Sequence, residues 1–217
     1  MKAIIFDMDG LMIDTEVLYH KTDREIAKSF GKTVSDETLG KMMGRKPIES
    51  YTIFCNDLGI NEPVEDLLKT RYDLVEKLLL NEVKPMPGLF NILNEFRGKM
   101  KLAIATGSPH KFLEIALNKL NIREYFDVTQ PSDGITNGKP NPEIYLKVME
   151  RLGLSPEYCI VIEDSSNGAR AGKNAGCYTI AVPSEYTYKQ DFSFVDYIAS
   201  DLDDAKEHIK NLHRIEL

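Results

Sequence analysis

Two aspartates one residue apart, Asp7 and Asp9, follow the apolar run Ala3-Ile4-Ile5-Phe6 and precede Gly10. Such a run reads as a strand buried on both faces. Side chains two apart on an extended chain project to the same side. The spacing therefore crowds two carboxylates at the carboxyl end of a strand, which is costly unless a cation or a shared proton relieves the repulsion. Gly10 lets the chain leave the strand in a conformation that other residues avoid. Three readings meet these residues. The plainest is a polar strand end and a turn, since turns favour Asp and Gly. An EF-hand loop fails, because the third liganding position is missing and a strand rather than a helix comes before it. The third is a metal-assisted nucleophile. One carboxylate attacks an electrophile, a divalent cation binds between the two, and the second carboxylate moves a proton.

Other residues at segment ends carry chemistry of the same kind. Thr106-Gly107 stands between an apolar run and a helix, where a hydroxyl and backbone N–H groups suit a phosphate oxygen; an ordinary helix cap has the same appearance. Lys139 lies in Gly138-Lys139-Pro140-Asn141-Pro142, where the prolines restrict the backbone that aims it. It reads as the neutraliser of a phosphate and its attacking carboxylate, or as a solvated loop lysine. Glu163-Asp164 closes the run Cys159-Ile160-Val161-Ile162. Adjacent acids there fit a hard cation such as Mg²⁺, or a helix start favoured by the dipole.

The elements that must position these residues follow from periodicity and punctuation. Between Thr15 and Lys84 the sequence carries no convincing strand. Helices are expected at Thr15–Phe30 with Thr15 as cap, at Ser35–Met43 stopped by Gly44, at Pro47–Leu58 and at Pro63–Leu80. From Pro85-Met86-Pro87-Gly88 onward strands and helices alternate. Strands are expected at 101–105, 127–128, 159–162, 177–182 and 197–198; helices at 89–96, 110–120, 142–152, 165–175 and 203–213. Such alternation means a mostly parallel sheet with right-handed crossovers, its ligand beyond the carboxyl ends of the strands.

Composition narrows the class. A chain of 217 residues, 42% hydrophobic and 28% charged, suits one globular domain, or one domain carrying a smaller insertion. A net charge of −7 argues against general nucleic-acid binding. No run is long enough for a membrane span, and Met1-Lys2 leads straight into the first strand without a cleavable segment. The cysteines, Cys55, Cys159 and Cys177, are scattered and read as buried free thiols in a reducing cytoplasm. A monomer is the expected state.

Phe6-Asp7-Met8-Asp9-Gly10 with Asp14-Thr15-Glu16 resembles the opening motif of the haloacid dehalogenase superfamily, in its phosphatase and phosphomutase branch. Thr106, Lys139 and the pair Glu163-Asp164 match that family's other three motifs in order, so the resemblance covers essentially the whole chain. It implies an α/β fold: a Rossmann-like parallel sheet core, residues 1–14 and 85–217, with an inserted α-helical cap, residues 15–84. It implies that Asp7 is phosphorylated, that Asp9 is the general acid and base, and that Lys139 assists catalysis. Mg²⁺, or another divalent cation such as Mn²⁺ or Co²⁺, would be held by Asp7, the Asp9 backbone carbonyl and Asp164, with Glu163 nearby. Thr106 and Gly107 would bind the phosphate of a small phosphorylated substrate. Arg45 and Lys46, just before Pro47, read as binders of a substrate phosphate or hydroxyl, or as solvated surface charges. The chain most resembles β-phosphoglucomutase-like proteins, a group that includes many sugar-phosphate phosphatases. Where the mutase pattern has a His, this chain has Tyr19, with His20 one step later; a step of about 100° on a helix is expected to turn His20 elsewhere. Where the pattern has an Arg, this chain has Pro47. These departures favour a sugar phosphatase over a mutase interconverting sugar 1- and 6-phosphates. A dehalogenase has no need of Asp9 or the acid pair, and a receiver-type signalling domain lacks the helical insertion.

Overall fold

The first strand, β1 (Ala3–Phe6), is buried along its whole length, as its unbroken apolar run requires. Four helices follow: α1 (Glu16–Ser29), α2 (Asp36–Met42), α3 (Pro47–Leu58) and α4 (Val64–Glu82). The chain then alternates through α5 (Leu89–Phe96), β2 (Lys101–Ala105), α6 (His110–Leu120), β3 (Val128–Gln130), α7 (Glu143–Leu152), β4 (Cys159–Glu163), α8 (Ser166–Asn174), β5 (Tyr178–Ala181), β6 (Tyr197–Ile198) and α9 (Leu202–Ile215). This computed structural model describes residues 1–42, 45 and 47–215. Contacts divide the chain into two units, Met1–Asp14 with Lys84–Leu217, and Thr15–Val83.

The first unit is built on one parallel sheet in the order β3-β2-β1-β4-β5-β6. β1 is central: Ile5 stands beside Ala103 of β2 and Val161 of β4. From β1 the chain builds outward to β2 and β3, then crosses to the other side for β4. The strand order therefore reverses at β1, the place where sheets of this class open a crevice. One face of the sheet packs Ile5, Ala103 and Val161 against Tyr145, Val148 and Met149 of α7. The apolar residues of α7 recur at helical spacing, so one face enters the core and the other stays wet.

The regular elements among the second unit's described residues are all helices. Its core joins Ile26, Leu39, Tyr51, Phe54, Leu67 and Leu68, with the Tyr51 and Phe54 rings stacked 5.0 Å apart. Thr15 does not cap α1 through its side chain. It already has helical backbone angles, φ −85° and ψ −22°, so its hydroxyl cannot turn back to the orphan N–H groups. Its Oγ1 is buried without a partner, while its carbonyl accepts the Tyr19 N–H. The three cysteines are buried and unpaired. Among the described residues no helix is long and apolar enough to cross a membrane.

Replacing Ile5 by Ala removes a fully buried side chain from the central strand. We expect a loss of about 2–5 kcal/mol, read as a lower urea midpoint with little change in slope.

Candidate active site

The sheet explains why the acids meet. Phe6 pairs with Ile104 on one side and Ile162 on the other, so the one or two residues that follow in each strand reach the same rim. Asp7 leaves β1 there, and its backbone N–H donates to the Ile162 carbonyl at 3.0 Å. Thr106 leaves β2, and Glu163 with Asp164 ends β4. Carboxylate oxygens of Asp7, Glu163 and Asp164 lie within 4.8 Å of one another, all three residues buried. Gly10 has φ +79°, and a Cβ added there would fall on the Asp164 carboxylate. Glycine is needed here both for the left-handed turn and for the close approach.

Lys139 reaches this cluster from the loop before α7. All three hydrogens of its ammonium have acceptors: Asp7 Oδ1 at 2.5 Å, Glu163 Oε1 at 2.6 Å and the Ala105 carbonyl at 3.2 Å. Burial opposes its charge, but the carboxylates of Asp7 and Glu163 outweigh burial and hold its pKa well above the usual value. Asp7 is pushed up to about 8. Burial is the main cause; Lys139 pulls the value down, and Glu163 and Asp9 push it up.

Asp9 Oδ2 accepts a hydrogen bond from the Thr106 hydroxyl at 2.8 Å, and the Ser108 N–H donates to the same hydroxyl at 2.9 Å. The Thr106 hydrogen expected to face a phosphate oxygen is thus directed at Asp9. Asp9 Oδ1 is buried with no partner, so it is open to a proton or a ligand. Gly107 follows Thr106, and a Cβ there would meet open space.

Four carboxylates and one ammonium leave the pocket with excess negative charge. That excess, the all-oxygen donor set and the orphaned Asp9 oxygen fit a hard divalent cation. Glu163 fits it less well. Its Oε1 accepts from Lys139 and from the Tyr145 hydroxyl, and its Oε2 from Ser165. A Cβ added at Gly168 would fall on the Glu163 carboxylate, so α8 packs tightly against it. Tyr145 was not legible as a site residue. Its place in an apolar helical stripe gave only a core assignment, and only the Lys139-Pro140-Asn141-Pro142 lead-in hints that its helix borders the site.

A cavity of about 500 Å³ opens at the opposite, amino ends of β1 and β2, lined by Lys2, Arg97, Lys101, Tyr125 and Asp127 among others, and holds none of these residues. The helical unit has a smaller cavity of about 130 Å³. Tyr19 and His20 are both among the residues that line it. Arg45 lines it too, its Nε donating to the Lys41 carbonyl at 2.7 Å. Lys46, like Met43 and Gly44, lies outside the described residues. Sequence reasoning missed Arg71, whose guanidinium lies 4.5 Å from the Tyr19 ring centre and binds buried Asp23 through two hydrogen bonds of 2.9 Å.

The profile of the family described as haloacid dehalogenase-like hydrolase matches residues 4–182. The chain is 38% identical over 177 residues to a phosphorylated carbohydrates phosphatase of Thermotoga maritima, covering 81% of this chain and 82% of that protein. It is 30% identical over 182 residues to the fructose-1-phosphate phosphatase YqaB of Escherichia coli, covering 83% and 95%. In three dimensions it resembles the crystal structure of CbbY from Rhodobacter sphaeroides in complex with phosphate. The TM-score is 0.81 at 26% identity, over 93% of this chain and 94% of that one.

The raised pKa of Asp7 gives a pH signature. A carboxyl whose folded value is about 8, against an ordinary 3.8, stabilises the fold fully below about 4 and loses that contribution as pH rises through about 8. A cation favours the ionised form. Added magnesium chloride should therefore raise the melting temperature more at pH 8.5 than at pH 6. Equal shifts, or equal gains in an Asp7→Asn variant, would count against cation binding at this carboxylate.

Proposed function

The chain belongs to the haloacid dehalogenase-like hydrolases, and from that premise we propose that it is a magnesium-dependent phosphatase of small phosphorylated carbohydrates, working through an aspartyl phosphate. The observation that carries this reading is the convergence of Asp7, Asp9, Lys139 and Asp164 at the carboxyl rim of β1, β2 and β4. The similarity to phosphatases of phosphorylated carbohydrates supports the substrate class.

Asp7, the Asp9 backbone carbonyl and Asp164 would hold Mg²⁺, which when bound neutralises phosphoryl charge and keeps Asp7 ionised. Asp7 Oδ1 is engaged by Lys139, so Oδ2 is the attacking atom. It forms the new bond to phosphorus as the ester P–O bond breaks in line. Asp9, protonated on the unpartnered Oδ1, gives its proton to the leaving alcohol oxygen. Thr106 holds the other Asp9 oxygen and so fixes which atom carries the proton. Asp9 then takes a proton from the water that hydrolyses the aspartyl phosphate, and inorganic phosphate leaves. Lys139 balances charge on Asp7 and on the phosphoryl oxygens throughout.

We assign recognition of the sugar to the helical unit, through Arg45 and Arg71 at its cavity. Phosphatase is preferred to mutase because Tyr19 replaces the mutase His and is itself packed on Arg71, and because Pro47 opens α3 where the mutase pattern has an Arg. Three buried free thiols are in keeping with a reducing cytoplasm.

A screen of small sugar phosphates with Mg²⁺ should release inorganic phosphate, and an Asp7→Asn variant should lose at least about a thousandfold in turnover with a near-normal melt. The same protein is assayed for conversion of glucose 1-phosphate to glucose 6-phosphate with a bisphosphate primer. Conversion without free phosphate would replace the phosphatase reading by the mutase one, and full activity of Asp7→Asn would remove the nucleophile assignment.

A further inference from the structure

We propose that Tyr145 is a positioning residue for the reaction: its hydroxyl anchors the Glu163 carboxylate so that Lys139 stays shared with Asp7. This inference rests on the phosphatase reading above.

The four polar groups form one chain. Tyr145 Oη donates to Glu163 Oε1 at 2.7 Å; Lys139 Nζ donates to the same oxygen at 2.6 Å and to Asp7 Oδ1 at 2.5 Å. Tyr145 and Glu163 are fully buried. On the far side, Ser165 Oγ donates to Glu163 Oε2 at 3.1 Å. Lys139 has no fourth hydrogen, so its position is set by how strongly each acceptor attracts it. A buried carboxylate with fewer donors attracts an ammonium more strongly. The Tyr145 hydroxyl satisfies part of the charge on Oε1 and leaves Lys139 divided between two acids.

The division matters when the phosphoryl group arrives. Forming the bond from Asp7 Oδ2 to phosphorus turns the carboxylate into an acyl phosphate, whose remaining Oδ1 is an uncharged carbonyl oxygen, and Lys139 loses one charged acceptor. A phosphoryl oxygen must take that place. Lys139 can make the exchange in position only if Glu163 does not draw it away. The Tyr145 ring also lies 5.2 Å from Lys139 Nζ, so ring and hydroxyl act on the same ammonium from one side. Burial first, then the Glu163 charge, raises the phenol's pKa, so Tyr145 keeps its proton and remains a donor.

The test is a double-mutant cycle on kcat and KM with whichever sugar phosphate is turned over. Tyr145→Phe keeps the ring and removes only the hydroxyl. It should lower kcat about ten- to a hundredfold and leave KM within about twofold. In a Glu163→Gln background the neutral amide no longer competes for Lys139, so the further Tyr145→Phe change should alter kcat by less than about twofold. Equal losses in both backgrounds, or an effect confined to KM, would overturn the inference. Should the Phe variant melt too low to assay, 3-fluorotyrosine at position 145 is a stronger donor in the same frame: an altered kcat supports the inference and an unaltered one overturns it. Wild-type protein that releases no phosphate from any ester with magnesium counts against the phosphatase reading. An active wild type with independent losses counts against Tyr145 alone.

Discussion

One buried ammonium holds the acidic rim of the sheet together. Lys139 brings a single positive charge to a place where four carboxylates converge, and it meets two of them at ion-pair distance. Charges removed from water are tolerated only when their geometry is good and their remaining valences are filled. Here they are filled: Lys139 spends every hydrogen, and Glu163 accepts on both oxygens. Asp9 Oδ1, by contrast, is buried without a partner among the described residues, in a pocket already short of positive charge. The chemistry proposed for this protein takes place at that imbalance. The sheet supplies the means, because reversal of strand order at β1 brings the ends of β1, β2 and β4 side by side.

Much of this was readable from residue order. Runs such as Leu102–Ala105 and Cys159–Ile162 are continuous and apolar because their strands have no wet face. Pro47 with Gly59, and Pro85 to Gly88, mark ends because they cannot continue what stands next to them. The site residues were readable for a related reason: a charged or hydroxyl residue just after such a run has nowhere to go but the rim. What escaped was what depends on partners far along the chain. Nothing near Tyr145 says that its hydroxyl meets Glu163, since in sequence it is one more apolar-face residue of α7. Nothing near Thr106 says that its hydrogen turns to Asp9, 97 residues away. Residue type groups Glu163 with the cation ligands, yet its oxygens are largely taken by Lys139, Tyr145 and Ser165.

The helical unit holds its own buried charge pair. Asp23 receives Arg71 in a two-pronged contact and the Tyr51 hydroxyl at 2.7 Å, all in a small helical core. Such a fork fixes the guanidinium plane far more tightly than a lysine could be fixed. The Tyr19 ring covers one face of that plane. One wall of the small cavity is thus a guanidinium held in a fixed plane.

The helical segment leaves and rejoins the sheet at a single spot. The Asp14 N–H donates to the Lys84 carbonyl, and the Met86 N–H to the Met12 carbonyl, so residues some seventy positions apart are zipped as neighbours. An excursion whose two ends are fastened together makes little demand on the framework beneath it, whatever its length. The framework is therefore indifferent to what is spliced in above Asp14 and Lys84. The helical segment can differ in length at little entropic cost to the acid-lined rim.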